Sequence, residues 1–364
     1  MIMNRTLSIF AAFALLASCS TGKPMETPKD ILVHQLFGFS ENGKIAYGHQ
    51  DDLCYGHSWR VEDVENDSLL RSDVKAVCGR YPMVVGFDLG DIEHPDSTSN
   101  LDGVPFDLIR RAALKHIERG GIVTFSWHPD NIFTGGDAWD VSSDQVVKSI
   151  LPGGELYAMF RQWMSRAADF IESLGDVAII FRPWHESSGS WFWWGRDLCT
   201  PEQYIELYRQ TWVYFTKERG LTNILWCYSP NGYCPPDVYM ERYPGDEFVD
   251  ILAVDTYDYV GADGYEEGSA RFMEALRSDL TKLNVFATEH KKLQALSESG
   301  LEGIVNPVWW TEVLYPVISD FPISYVLTWR NAWDRPTHFY GPWEGFEHAG
   351  DFKQFAQKDN IVLL

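Results

Sequence analysis

Eight short apolar runs, separated by stretches of helical periodicity, predict an α/β chain folded as a single (β/α)8 TIM-type barrel. Helical crossovers demand parallel neighbouring strands, and eight such units close a cylinder. Polar and aromatic residues fall where the runs end, at Asp88, His128, Glu186, Tyr257, Glu289 and Trp329. That end of the strands is where a barrel gathers its functional groups. An open doubly wound sheet would instead concentrate contacts at one switch point.

The first run, residues 45–47, opens into Gly48-His49-Gln50-Asp51-Asp52. The second covers 83–87 and stops at Asp88. Residues 105–118 place Ile109, Ala113 and Ile117 on one helical face. The third run, 122–125, ends Ser126-Trp127-His128-Pro129. A long loop follows to Gly154, and 155–174 then carries Leu156, Phe160, Trp163, Ala167, Ile171 and Leu174 at helical spacing. The fourth run, 177–181, is apolar throughout, as suits a strand buried on both faces. Thr200 and Pro201 start a helix expected to reach about Lys217, with threonine as N-cap and proline in the first turn. The fifth run (224–228) and the sixth (251–254) follow, the sixth ending Asp255-Thr256-Tyr257. A helix carries Phe272, Met273, Leu276 and Leu280. Residues 285–287 are taken as the seventh strand, ending Thr288-Glu289-His290. A helical stretch near 308–318 leads to the eighth strand, 324–327, which ends Thr328-Trp329-Arg330-Asn331, and 351–357 forms a closing helix.

With 364 residues, 45% of them hydrophobic, the chain can bury a large core, and barrels of this length fold as one domain. The formal net charge of -22 repels phosphate backbones, so nucleic acid is not expected as a partner. Fifteen tryptophans signal an aromatic core first and flat binding surfaces second. Arg5 precedes an apolar run over 7–18 that is too short to span a bilayer. It ends Leu16-Ala17-Ser18-Cys19, which resembles a bacterial lipobox. The resemblance implies a lipoprotein signal peptide over 1–18 and a lipid on Cys19. An ordinary signal peptide is the alternative, and both readings export the protein. Residues 19–30 read as a flexible tether and 31–364 as the barrel, with membrane contact through the lipid only. The other cysteines are Cys54, Cys78, Cys199, Cys227 and Cys234, an odd number, so at least one stays free or pairs between molecules. Their spacing fits no zinc pattern, and no metal or other cofactor is expected.

The stretch 181–195 reads FRPWHESSGSWFWWG. A carboxyl group leaving a buried strand, beside a guanidinium, an imidazole and flat rings, points to a sugar-cleaving site: charge acts at one bond, and rings stack on pyranose faces. Such hydrolysis needs one protonated carboxyl and one ionised carboxylate across a narrow cleft. Glu186 is assigned as acid/base and Glu289 as nucleophile, since strands four and seven lie across the barrel. Arg182 and Tyr257 are placed to hydrogen-bond Glu289 and keep it ionised.

FRPWHESSGSWFWWG resembles the acid/base signature of glycoside hydrolase family 26, most of whose members are β-mannanases. Shorter matches follow in order, among them Gly48-His49-Gln50-Asp51, Ser126-Trp127-His128-Pro129, Tyr228-Ser229-Pro230, Asp255-Thr256-Tyr257, Ala287-Thr288-Glu289 and Thr328-Trp329-Arg330-Asn331. The resemblance covers roughly residues 33–356. It implies a clan A type barrel that hydrolyses β-1,4-mannosidic bonds with retention, Glu186 as acid/base and Glu289 as nucleophile. It further implies that His185 and Tyr257 orient the carboxylates and that Arg182 and Asp255 support them. His128, Trp191, Trp329 and Arg330 would line the sugar subsites. Members often carry a glycine two positions after the nucleophile, whereas His290-Lys291-Lys292 follow Glu289 here. His185-Glu186-Ser187-Ser188-Gly189 likewise stands where some relatives read His-Glu-Met-Asn-Gly.

The substrates expected are β-mannan or manno-oligosaccharides, including galactomannan and glucomannan, acted on by a monomer. Internal or chain-end attack depends on how the loops close over the cleft. A mixed-linkage β-glucanase or a β-xylanase would use the same glutamates, and a non-catalytic glycan-binding lipoprotein would keep the aromatic groove. Ser20-Thr21-Gly22-Lys23 lacks the acidic run that resembles a surface-export signal. A periplasm-facing anchor in a Gram-negative-type envelope is therefore expected, rather than one at the cell surface.

Overall fold

The computed structural model describes residues 26–364; the expected signal peptide and Cys19, the expected lipid site, lie outside the described residues. Eight parallel strands form the centre: β1 (Ile45–Gln50), β2 (Val84–Asp88), β3 (Ile122–Trp127), β4 (Ile179–Pro183), β5 (Ile224–Tyr228), β6 (Ile251–Asp258), β7 (Leu293–Leu301) and β8 (Tyr325–Thr328). Each pairs with the next, and β8 returns to β1 through Ala46 with Tyr325 and His49 with Thr328, which closes the barrel. The main crossover helices are α2 (Phe106–Glu118), α3 (Tyr157–Ser173), α4 (Pro201–Trp212) and α5 (Tyr265–His290), preceded by α1 (Pro28–Glu41).

Strand alternation sorts the apolar residues into two cores. Val84, Ile122, Ile180, Leu225, Ile251 and Leu293 point inward and fill the lower barrel, while Val85, Val123, Phe181, Trp226, Leu252 and Val326 point outward under the helices. The inward rows then turn polar toward the C-terminal end. Ile180 gives way to Arg182, Ala253 to Asp255 and Thr124 to Ser126, and these polar residues are all buried. The barrel thus has an apolar floor and a polar mouth, and the floor sets where charges sit.

Helix α1 closes the floor with Leu32 and Leu36, which join the inner core. It begins inside the stretch expected to be a tether. The Thr27 side chain accepts from the Asp30 amide at 3.1 Å, and the Asp30 carboxylate accepts from the Thr27 amide at 3.0 Å, with Pro28 in the first turn. This capping box was written in the sequence as Thr-Pro-Lys-Asp.

The seventh unit differs from expectation. Residues 285–287 are not a strand; α5 runs unbroken to His290, and Lys291, in the left-handed region at φ 55°, ends it. Phe272, Leu276, Leu280, Leu283 and Ala287 are buried along it, and that 4-4-3-4 spacing is helical. Val285 is 57% exposed. The seventh strand is Leu293–Leu301, whose apolar residues are broken by Gln294 and then by Ser297-Glu298-Ser299, so it lacks a continuous apolar run. Among the described residues no disulfide forms, and all five cysteines are free thiols.

Candidate active site

The mouth is built around Arg182, which faces inward from β4 and is 3% exposed. One guanidinium nitrogen donates to Asp255 Oδ2 at 2.8 Å, and the other donates to Glu298 Oε1. Tyr257, two residues above Asp255 on β6, donates its hydroxyl to Glu298 Oε2 at 2.7 Å. Glu298 therefore has both oxygens occupied by donors that favour a carboxylate acceptor.

A bulge in β7 brings Glu298 there. Val254 pairs with Leu296, but Asp255 pairs with Glu298, so Ser297 is an extra residue. The same slip appears on the other side, where Val326 pairs with Leu296 and Thr328 with Ser299. Leu296 faces the outer core, and without the bulge Glu298 would share its outward direction. The extra Ser297 is used as well: its hydroxyl donates to Asp255 Oδ1 at 2.6 Å.

Glu186 lies opposite. It leaves β4 through a turn in which Trp184 and Glu186 both adopt positive φ, 54° and 55°. Such backbone is strained for residues with side chains and persists where the surroundings impose it. The Glu186 amide donates to Ser229 O at 2.7 Å, and Trp191 Nε1 donates to Glu186 Oε2 at 2.6 Å. One carboxyl oxygen from each of Glu186, Asp255 and Glu298 lies within 4.8 Å of the others. Burial pushes the Glu186 carboxyl well above the usual carboxylate range, and the charges of Glu298 and Asp255 add to this. Burial also raises Asp255 to about 7, against the pull of Arg182. The Tyr257 phenol is raised well above its ordinary value, by burial first and then by Glu298 and Glu186, so it remains a donor.

The expectation that Glu289 shares this cleft is overturned. Glu289 is exposed, near the C-terminal end of α5, before β7 begins at Leu293. That places it at the floor of the barrel, while Glu186 is at the mouth. Glu298 occupies the position that the chemistry assigned to Glu289. Two signals in the sequence marked it. Gly300 follows Glu298 by two positions, and the helical spacing of α5 carries through Ala287. Gly300 has a physical reason to be glycine, because φ is +150° and a Cβ there would lie 2.6 Å from the Tyr340 ring.

The other expected residues do come to the mouth. His128 follows β3, His185 follows β4, and Trp329 and Arg330 follow β8. A cavity of about 380 Å³ at the mouth is lined by Asp88, Asp102, His128, Trp139, Trp329 and Arg330. Arg330 is held by Asp102 at 2.9 Å. Trp191 is 42% exposed at the rim. Trp193 and Trp194 are fully buried and anchor the loop, donating to Pro129 O at 2.9 Å and to His185 O at 2.8 Å. Sequence reading missed Trp139, which is 46% exposed and stacks on His128 with centroids 5.3 Å apart. It stands in the long loop after β3, where no periodicity marks a residue.

Comparison with known proteins agrees with this arrangement. The profile of glycosyl hydrolase family 26 matches residues 33–288. The chain belongs to glycosyl hydrolase family 26. The structure of a GH26 β-mannanase from Bacteroides ovatus is similar at a TM-score of 0.86 and 42% identity, over 93% of this chain and 95% of that one. A mannan endo-1,4-β-mannosidase of Bacillus subtilis is 29% identical over 78% of this chain and 85% of its own length. One from Bifidobacterium adolescentis is 29% identical over 98% of this chain, which spans 38% of that relative's length.

In this family 26 chain one cation serves two buried acids, and this has a measurable consequence. Arg182→Met leaves Asp255 and Glu298 facing each other without a counter-ion. Removing one partner of a buried ion pair costs about 3–5 kcal/mol. The loss is expected to be larger at pH 8 than at pH 5, because Asp255, which burial raises to about 7, is protonated at the lower pH and carries no charge to leave unpaired. Urea denaturation at the two pH values measures it.

Proposed function

We propose that this protein is a retaining β-1,4-mannan hydrolase, with Glu186 as acid/base and Glu298 as nucleophile. The observation that carries the mechanism is the separation of at most 4.8 Å between oxygens of the two carboxyl groups. Retaining enzymes hold these groups roughly 5–5.5 Å apart, whereas inverting ones leave about 6.5–9.5 Å for a water. Mannan as substrate is supported by the activity named for the relatives above.

The steps follow from the geometry. Glu298, steadied by Arg182 and Tyr257, attacks the anomeric carbon of the sugar bound over the cavity. Glu186, protonated and aimed by Trp191, gives its proton to the departing oxygen. A covalent glycosyl ester on Glu298 results. Glu186, now ionised, takes a proton from an incoming water, which attacks the same carbon and frees Glu298. Two inversions leave the β configuration in place. Trp329 and Trp139 offer flat surfaces for pyranose rings, and Arg330, fixed by Asp102, offers donors to hydroxyls. The lipobox-like Leu16-Ala17-Ser18-Cys19 supports an exported, membrane-anchored enzyme.

The test is a side-by-side assay of reducing-sugar release from mannan, barley glucan and xylan, with proton NMR of the first product. Preferential release from mannan, with the β anomer appearing first, is expected. Faster release from glucan or xylan would reassign the substrate, and α product first would overturn retention. Binding of mannan without turnover would overturn the enzyme reading.

A further inference from the structure

Three buried side chains beside the two glutamates form a line that the mechanism above does not use. Asp88, the last residue of β2, places Oδ2 at 2.6 Å from His128 Nδ1. His128 Nε2 lies 3.0 Å from His185 Nε2, with the rings edge to face at 85°. Asp88 is itself fixed: Ser126 Oγ donates to Oδ2 at 2.6 Å, and the Gly90 amide donates to Oδ1 at 2.7 Å. The three residues are between 2% and 7% exposed.

Two ring nitrogens at hydrogen-bond distance share one proton, so one ring donates and the other accepts. We propose that Asp88 is a positioning residue that holds His128 as an imidazolium, whose Nε2–H donates to His185 and fixes that ring beside Glu186. Charge decides between the two possible donors. If His128 were neutral, Asp88, Asp255 and Glu298 would share Arg182 as the nearby cation in a buried site. Protonating His128 adds a second cation where Asp88 can reach it, and gives both of its nitrogens an acceptor. Other charged groups reach His128 from several elements: Glu298 from β7, Arg182 from β4, and Asp102 and Arg330 across the cavity. Burial alone would depress the His128 ring, but the charge and hydrogen bond of Asp88 outweigh it and hold the ring above its ordinary value. His185 goes the other way, pushed well below by burial, with Arg182 and His128 adding to it. It is thus the neutral acceptor, and its proton sits on Nδ1, which is buried and has no partner among the described residues.

The consequence reaches Glu186 through the chain. His185 lies between the two positive-φ residues of the turn, and its carbonyl accepts from Trp194. A ring that could rotate or change tautomer would loosen the turn that aims the acid. The kinetic readout rests on the two-glutamate mechanism, and the spectroscopic readout does not.

Imidazole ¹⁵N NMR of the full chain, labelled at histidine, reads the charge directly. At pH 7 His128 is expected to show both nitrogens protonated and His185 one. Neutral signals from both rings in the wild-type chain would overturn the proposal, whatever the activity. In Asp88→Asn the His128 titration is expected to fall by at least about one pH unit, a tenfold change in its proton affinity. The alkaline limb of kcat/KM, where loss of the His128 proton adds to loss of the Glu186 proton, broadens toward lower pH with it. Ser126→Ala keeps the carboxylate, is a milder change to the fold, and leaves Asp88 Oδ2 to His128 alone, so it is expected to move both readouts the opposite way, to higher pH. An unmoved His128 titration in whichever variants fold would overturn the role of Asp88.

Discussion

Glu298→Ala is expected to lower mannan hydrolysis by roughly 10⁴-fold, about 5.4 kcal/mol of barrier, while Glu289→Ala leaves it near wild type. The two glutamates are nine positions apart and lie at opposite ends of the barrel. One is exposed on the last turn of a helix and touches nothing in the cleft. The other is 4% exposed and receives a guanidinium and a phenol. Small anions give the experiment a second readout. Added azide can enter the space left by the Glu298→Ala side chain and attack an activated aryl β-mannoside directly. One displacement inverts, so an α-mannosyl azide is expected. A folded Glu298→Ala protein with near-wild-type turnover would remove the assignment, as would a comparable loss in Glu289→Ala. Circular dichroism and the urea midpoint of each variant separate loss of chemistry from loss of fold.

The residues that misled the reading of the seventh unit show where sequence pattern stops. Seven strands announced themselves as apolar runs because both faces of those strands are buried. In β7 the inward face turns polar early, at Ser297, since that face is the active site. A strand doing this looks less like a strand than Val285-Phe286-Ala287, which belongs to the buried stripe and exposed side of a helix. The bulge adds a second difficulty. Counting every other residue from Leu293 puts Glu298 on the outside, and only the extra residue at Ser297, visible in the pairing with Asp255, reverses it. Where the chain obeyed simple alternation, as in β4 and β6, Arg182, Asp255 and Tyr257 were legible from the sequence. The glycine two positions after Glu298 was legible too, because a steric demand at one residue leaves a mark that a parity change does not.

Glu186 gives the other large effect, and it depends on the substrate. Proton transfer to the leaving oxygen is worth about 10²–10⁴-fold. Glu186→Gln is expected to lose that factor on mannan and to lose far less on an aryl mannoside whose leaving group departs without a proton. Equal losses on both substrates would overturn the acid role. The same variant carries a prediction of opposite sign for stability. Burial and the charges of Glu298 and Asp255 raise the Glu186 carboxyl well above its ordinary value. Between the unfolded and folded values, the folded chain holds a proton that the unfolded chain has released. Stability therefore falls as pH rises through that window. Glutamine keeps the shape and removes the titration, so the Glu186→Gln protein is expected to melt higher than wild type at pH 8 and close to it at pH 4. Its advantage should grow with pH through that window and level off where the wild-type acid gives up its catalytic proton. A thermal melting series from pH 4 to 9 on both proteins compares the pH of that levelling-off with the alkaline limb of mannan hydrolysis. Coincidence of the two is expected if one buried proton on Glu186 serves both the reaction and the fold, and a Glu186→Gln protein less stable than wild type throughout would show that the carboxyl is ionised in the native state.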